Sequence, residues 1–214
     1  MNKNKLSNIQ LVEEFYKVLD EINPDYFLEV GAFKAETSCY VSKKFPSCKV
    51  TAYEANPFNY NEFKENLSTY NFDYINMAIS DTSNPVTMYL QNKSFKGNNK
   101  FVRGNNSLLK RTDTKKEFTE VTVDCNTLDN LYKDKDKKFV LWIDAEGKGY
   151  EVLQGAIDLL PSVYAIFIEV EQKEFWEGQK LDTDIIPYLE SKGFYCYKQD
   201  HEFKKQYNIL FLRK

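Results

Sequence analysis

Short apolar runs alternate with helix-period segments along this chain, and that alternation restricts the fold more than any other feature. YFLEVGA (26–32), KVTAYEAN (49–56), YINMAIS (74–80), KFVLWIDAEG (138–147) and YAIFIEVE (164–171) read as strands. Between them, ETSCYVSKKF (36–45), NPFNYNEFKENLSTY (56–70), YEVLQGAIDLL (150–160) and LDTDIIPYLESKG (181–193) read as helices. Asn56-Pro57 is a helix start, while Pro161 and Gly193 are stops. PVTMYLQ (85–91) and FTEVTVDCNTLDNL (118–131) add strand and helix, and FYCYKQD with QYNILFLRK closes the chain as an antiparallel pair. Buried strands separated by helices predict an α/β domain built on a mostly parallel, doubly wound sheet. The length, 214 residues, suits one domain.

Composition removes several function classes. The net charge of −3 gives no general drive toward nucleic acid or membrane. The start, MNKNKLSNIQLVEEFY, has no long apolar stretch, so neither a signal peptide nor an anchor is expected, and the expected location is cytoplasmic. Cys39, Cys48, Cys125 and Cys196 form no CxxC pair and read as reduced thiols, not as a zinc site. A single histidine, His201, argues against histidine-rich metal centres and leaves carboxylates, hydroxyls and a cofactor to do the chemistry.

One segment differs from the rest. Residues 92–118, NKSFKGNNKFVRGNNSLLKRTDTKKEF, carry eight Lys or Arg against two acids, a local charge of +6. A long polar insertion in a compact domain reads as a lid, a binding loop or a disordered stretch. The lid reading places Lys96, Lys100, Arg103, Lys110 and Arg111 over the acceptor and implies an acceptor with negative charge, such as an acidic or nucleotide-activated sugar. The competing reading is a solvated loop.

DYFLEVGAFKAETSCYV (25–41) is strand, tight turn, helix, with Glu29 at the edge of the turn. Ligands of doubly wound sheets bind beyond the carboxyl ends of the strands. Glu29 and Gly31 lie at that end of one strand, and Glu54 lies at that end of the next, where an acid accepts ribose hydroxyls. A dinucleotide fingerprint needs further glycines, but the run here is GAFKAE, and Glu29 would repel a pyrophosphate. S-adenosylmethionine fits better, having a ribose, an ammonium, a sulfonium and no phosphate. The alternatives are a nicotinamide-dependent oxidoreductase and a catalytically inactive nucleoside-binding module.

From about residue 25 to 211 the chain resembles the FkbM family of S-adenosylmethionine-dependent methyltransferases. LEVGAFKAETS looks like the family's first motif, TAYEANP its acidic second strand and NMAISD its segment near the adenine. WIDAEGKGYEVLQGA is the most specific match, resembling I-D-x-E-G-x-E-x-x-V-L-x-G-A, and TVDCNTLDNL and IFIEVE have counterparts too. The resemblance implies a Rossmann-like, seven-stranded class I methyltransferase sheet with an antiparallel C-terminal strand, and transfer to oxygen, commonly on a sugar. It implies cofactor contacts from Glu29, Gly31, Ala32, Phe33, Ser38, Glu54, Ala55, Ala78 and Asp144, and an acceptor contact from Ser107. Three positions depart from the pattern: Ala35 replaces the last glycine of the first motif, Glu171 replaces a histidine, and an acid usually found earlier appears as Glu151.

A hydroxyl acceptor needs a base. Asp144 and Glu146 follow one core strand, while Glu169 and Glu171 end another and share a face by their alternate spacing. Asp144 is the first candidate base and Glu146 the second; Glu146 also suits the N-terminus of the next helix. Glu169 and Glu171 complete the mouth, and His201 is a third possible base. Asp144 and Glu169 with an amide would also serve as oxygen ligands for Mg²⁺, but the reading adopted requires no metal. Phe175 and Trp176 either stack on a sugar ring or roof the core.

Overall fold

A computed structural model describes residues 5–92, 101–112, 117–201 and 203–214. In chain order the elements are β1 (Lys5–Leu6), α1 (Asn8–Ile22), β2 (Tyr26–Val30), α2 (Glu36–Lys44), β3 (Lys49–Glu54), α3 (Pro57–Leu67), β4 (Asp73–Asn76), β5 (Ala78–Ile79) and β6 (Val86–Gln91). They continue with β7 (Phe118–Val123), β8 (Cys125–Asn126), α4 (Leu128–Leu131), β9 (Phe139–Ile143), α5 (Gly149–Gln154), β10 (Val163–Glu171), α6 (Asp182–Ser191), β11 (Phe194–Asp200) and β12 (Gln206–Arg213).

The main sheet runs β1-β11-β12-β10-β9-β2-β3-β4. Apart from the two-residue edge strand β1, this is the expected seven-stranded sheet, and β12 alone runs antiparallel to its neighbours. Its two faces bury separate clusters. One packs α1 and α2 over Phe27, Val140 and Phe167, where Trp142 stacks on Phe167 with ring centroids 3.8 Å apart. The other packs α5 and α6 over Leu28, Leu141, Ile143 and Ile168. Helices on both faces explain why β9 and β10 are apolar almost throughout.

Some elements differ from the sequence reading. The run 74–80 breaks at Met77 into β4 and β5, because β5 leaves the sheet to pair with β8. The helix expected over 150–160 is regular only to Gln154; Gly155 ends it where a Cβ would lie 2.0 Å from the Ser80 carbonyl oxygen. α1 was not anticipated. Leu11, Phe15, Val18 and Leu19 form its buried stripe, and Ser7 and Gln10 make a reciprocal capping box.

Ala35 precedes α2 with φ 50° and ψ 39°, and it is fully buried. This left-handed conformation costs an L-residue roughly 1–2 kcal/mol, which accounts for the glycine the family pattern carries there. Ala35→Gly therefore raises stability by about 0.5–1 kcal/mol after the glycine's entropy cost is deducted. Urea unfolding checks it, and a destabilised variant would refute the strain assignment.

Candidate functional site

The site forms where β2, β3, β9 and β10 end. β2 stops at Val30, and Gly31 turns with φ 82°. The Gly31 and Ala32 N–H groups both donate to the Tyr53 carbonyl, at 3.0 and 2.9 Å. Glu54 locks the next step: its Oε2 accepts from Phe33 N at 2.7 Å and its Oε1 from Asn56 N at 2.7 Å. Tyr74 holds the Phe33 carbonyl from the other side.

Glu29 and Ser38 meet behind this turn. The Ser38 N–H donates to Glu29 Oε2 at 2.9 Å and the Ser38 hydroxyl to the same oxygen, with both residues buried. Glu29 thus ties the strand to α2 and is not part of the cavity wall described next. Burial pushes its carboxyl up to about 7 against the lowering effect of the Ser38 bonds. Glu54 is also pushed up to about 7 by burial, opposed by the Asn56 and Phe33 N–H groups.

Beyond the turn lies a partly open cleft. Gly31, Glu54, Asp144 and Glu146 line its polar end, and Ala55, Met77, Ala78, Ile79, Met88 and Leu108 line its apolar part. The mixed polar and apolar lining suits a nucleoside ligand. Each Glu54 oxygen has lone pairs beyond the one its backbone donor uses, so ribose hydroxyls can still be accepted. Met77, Met88, Leu108 and Lys148 belong to this wall, and sequence reasoning did not select them.

The acids do converge. β9 and β10 are parallel neighbours, with Ile143 opposite Ile168. Asp144, Glu146 and Glu169 each bring an oxygen within 4.8 Å of the others. Asp144 opens on the cleft, but the protein around it desolvates its carboxylate and pushes it up to about 6. Glu169 rises to about 10, by burial and then by its acidic neighbours, starting with Asp144. Burial, Asp144 and Glu171 hold Glu146 well above the usual range, with Arg111 opposing them. Glu171 is buried and raised to about 7, mainly by that burial. Such a group either shares protons or holds a cation through oxygen ligands.

The described part of the basic insertion is bonded down on both sides of the mouth. Asn59 pairs with the Arg103 backbone through its amide oxygen and nitrogen, and Ser107 pairs with Tyr89. The Ser107 hydroxyl donates to the Glu146 carbonyl at 2.6 Å, holding Glu146 in a left-handed conformation (φ 43°). Lys110 and Thr112 bond the backbone of Glu177 and Phe175, and Arg111 lies over Trp176 at 4.9 Å. Trp176 is 2 % exposed and packs on Gly147, where a Cβ would come within 2.9 Å of the ring, so it roofs the acidic loop. His201 is exposed beyond β11, its N–H donating to Leu6, and is not in the cavity lining. Lys96 and Lys100 lie outside the described residues.

The model of the methyltransferase FkbM domain matches residues 29–196. The chain belongs to the FkbM methyltransferase family. It is an S-adenosylmethionine-dependent methyltransferase, and the match spans the glycine turn, Glu54 and the acidic loop. Among curated proteins, none matches the sequence. An rRNA methylase from Streptococcus thermophilus shares the fold at TM-score 0.52 and 9 % identity, over 94 % of this chain and 96 % of that one. A tRNA methyltransferase candidate from Streptococcus pneumoniae, crystallised with S-adenosyl-L-methionine, does so at 0.50 and 11 %, over 92 % and 72 %. At such identities the likeness is one of fold. No helix among the described residues is long and apolar enough to cross a membrane.

The FkbM chain's cavity fits its cofactor. The glycine turn gives backbone access, the apolar part suits a base, Glu54 suits a ribose, and the acids suit a cationic end. Bound there, the cofactor supplies a methyl group already activated on a sulfonium. Glu54→Ala weakens S-adenosylhomocysteine binding by about 1.5–3 kcal/mol, the range for a hydrogen bond to a charged group. Calorimetry on the folded variant checks this, and unchanged affinity would remove Glu54 from the site.

Proposed function

We propose that this chain is an O-methyltransferase acting on a hydroxyl of a sugar or glycan precursor, with Asp144 as the base. The observation that carries it is the position of Asp144. It follows β9 in the mouth, lines the cavity beside Gly31, and has its carboxyl raised toward neutrality. A base near the working pH is the most effective. In-line alignment of hydroxyl and methyl donor supplies much of the remaining rate, on the order of 7–11 kcal/mol for well-oriented groups. The family resemblance supports oxygen and sugar as acceptor classes.

The insertion serves as a lid and brings positive charge to the acceptor. Arg111 stands over Phe175 and Trp176, and Arg103 lines the outer cleft with Phe33. An acidic or nucleotide-activated sugar matches this charge, and the sequence pI of about 5.4 speaks against a nucleic-acid acceptor. The test is methyl transfer from labelled S-adenosylmethionine to panels of nucleotide-activated sugars, glycans and RNA, read by mass spectrometry. Labelling of RNA alone would overturn the sugar reading. For an accepted sugar, KM rises with salt, and the Arg103→Ala, Arg111→Ala double variant loses most of that dependence. A KM flat with salt in both proteins would make the segment an ordinary loop.

A further inference from the structure

Among the described residues, the two most exposed large apolar side chains are Ile9 at 72 % and Phe203 at 69 %; the next, Ile157, stands at 44 %. They are far apart in sequence, yet the fold ties their segments together. The Asn8 amide donates to Asp200 Oδ2 at 3.1 Å, and the His201 N–H donates to the Leu6 carbonyl at 2.9 Å. The first turn of α1 and the end of β11 therefore form one rim. Asp200 is buried within it, and its carboxylate is occupied by Asn8 and Asn208.

Phe203 begins the reverse turn between β11 and β12. Phe203 and Gln206 exchange backbone hydrogen bonds of 2.8 and 3.0 Å, and Lys204 and Lys205 fill the two central positions with φ 53° and 73°. Asn and Gly are the usual residues of such a left-handed pair, so two lysines stand at this apex under backbone strain. Lys204 Nζ lies 4.9 Å from the Phe203 ring centre, and Lys173 Nζ lies 4.7 Å from that of Phe175. The Gln172 N–H donates to the Lys205 carbonyl at 2.9 Å, so the two lysine–aromatic pairs stand on adjacent loops. This rim borders the acidic mouth, since Gln206 Nε2 donates to Glu169 Oε1 at 3.2 Å.

Lysines around exposed apolar side chains suit a layer of anionic headgroups over an apolar interior. A protein partner needs a broad apolar patch to bury, and two side chains set among lysines do not supply one. We infer that this rim docks on an anionic lipid bilayer, Ile9 and Phe203 entering between the headgroups while Lys173, Lys204 and Lys205 meet the lipid phosphates. Docking is peripheral and reversible, because the apolar contribution is small and the chain as a whole carries −3. It sets the mouth against the membrane surface. The inference does not depend on which acceptor the enzyme methylates.

The experiment is co-sedimentation of the full chain with vesicles of phosphatidylcholine alone and of phosphatidylcholine mixed with phosphatidylglycerol. Wild type is compared with an Ile9→Ser, Phe203→Ser double variant and a Lys204→Gln, Lys205→Gln double variant, with circular dichroism as the fold control. Wild type binds the mixed vesicles about tenfold or more tightly than the neutral ones at low salt, and the preference fades as salt rises. The lysine variant loses most of that preference, and the apolar variant binds the mixed vesicles about tenfold more weakly than wild type. Equal binding to the two vesicles, binding to neither, or folded variants that sediment like wild type would overturn the inference. Concentration-dependent dimers abolished by the apolar variant, without vesicle binding, would assign the rim to a second copy of the chain instead. Should one variant not fold, the wild-type preference and the other variant decide.

Discussion

Asp144→Asn lowers kcat by about 10² or more while S-adenosylhomocysteine affinity holds, because an amide cannot take the proton of the attacking hydroxyl. The same assignment fixes the pH profile. The Asp144 carboxyl is raised to about 6, so below that pH it is protonated and cannot act as a base. kcat therefore climbs with pH through about 6 and levels off above it. Glu169, held near 10, keeps its proton at neutrality, which leaves Asp144 as the charged partner of the two. In Asp144→Asn the residual activity loses this acid limb. Normal turnover by the variant would move the base elsewhere, with Glu146→Gln the next test. Activity abolished by a chelator and restored by Mg²⁺ would mean instead that Asp144, Glu146 and Glu169 hold a cation.

The parts of the site that were legible in the sequence are those that strand ends dictate. Glu54, Gly31 and Asp144 follow apolar runs, and a parallel sheet carries all such ends to one side. β9 and β10 are parallel neighbours, and this pairing brings Glu169 to Asp144. The roles of Glu29 and Trp176 were less accessible. Glu29 reads as a ligand contact and Trp176 as either a sugar contact or a roof of the core, but each role turns on partners that the strand pattern does not give: Ser38 for the one, Gly147 and Arg111 for the other. The apolar wall was missed because Met77, Met88 and Leu108 come from separate loops and strands with no shared period. α1 did carry a local signal, the Ser7–Gln10 capping pattern ahead of a helical apolar stripe.

Gly31→Ala has the largest expected effect on the fold of the site. A Cβ at this position would lie 1.8 Å from the Asp144 carbonyl oxygen and 2.7 Å from its carbon. Both are backbone atoms at the strand end that carries Asp144, so no side chain can rotate away to relieve the contact. The Asp144 N–H is already held at 2.9 Å by the Val30 carbonyl, so β2 and β9 are coupled on either side of the clash. The left-handed φ of 82° adds roughly 1–2 kcal/mol for any L-residue. Overpacking adds about 1–3 kcal/mol. The variant is therefore less stable by about 2–5 kcal/mol in urea unfolding, the sum of those two ranges. It also loses S-adenosylhomocysteine binding at temperatures where it remains folded, because relief requires Gly31 and Asp144 to part and both line the cavity. Wild-type stability together with wild-type affinity would show that the two strand ends do not meet at this glycine.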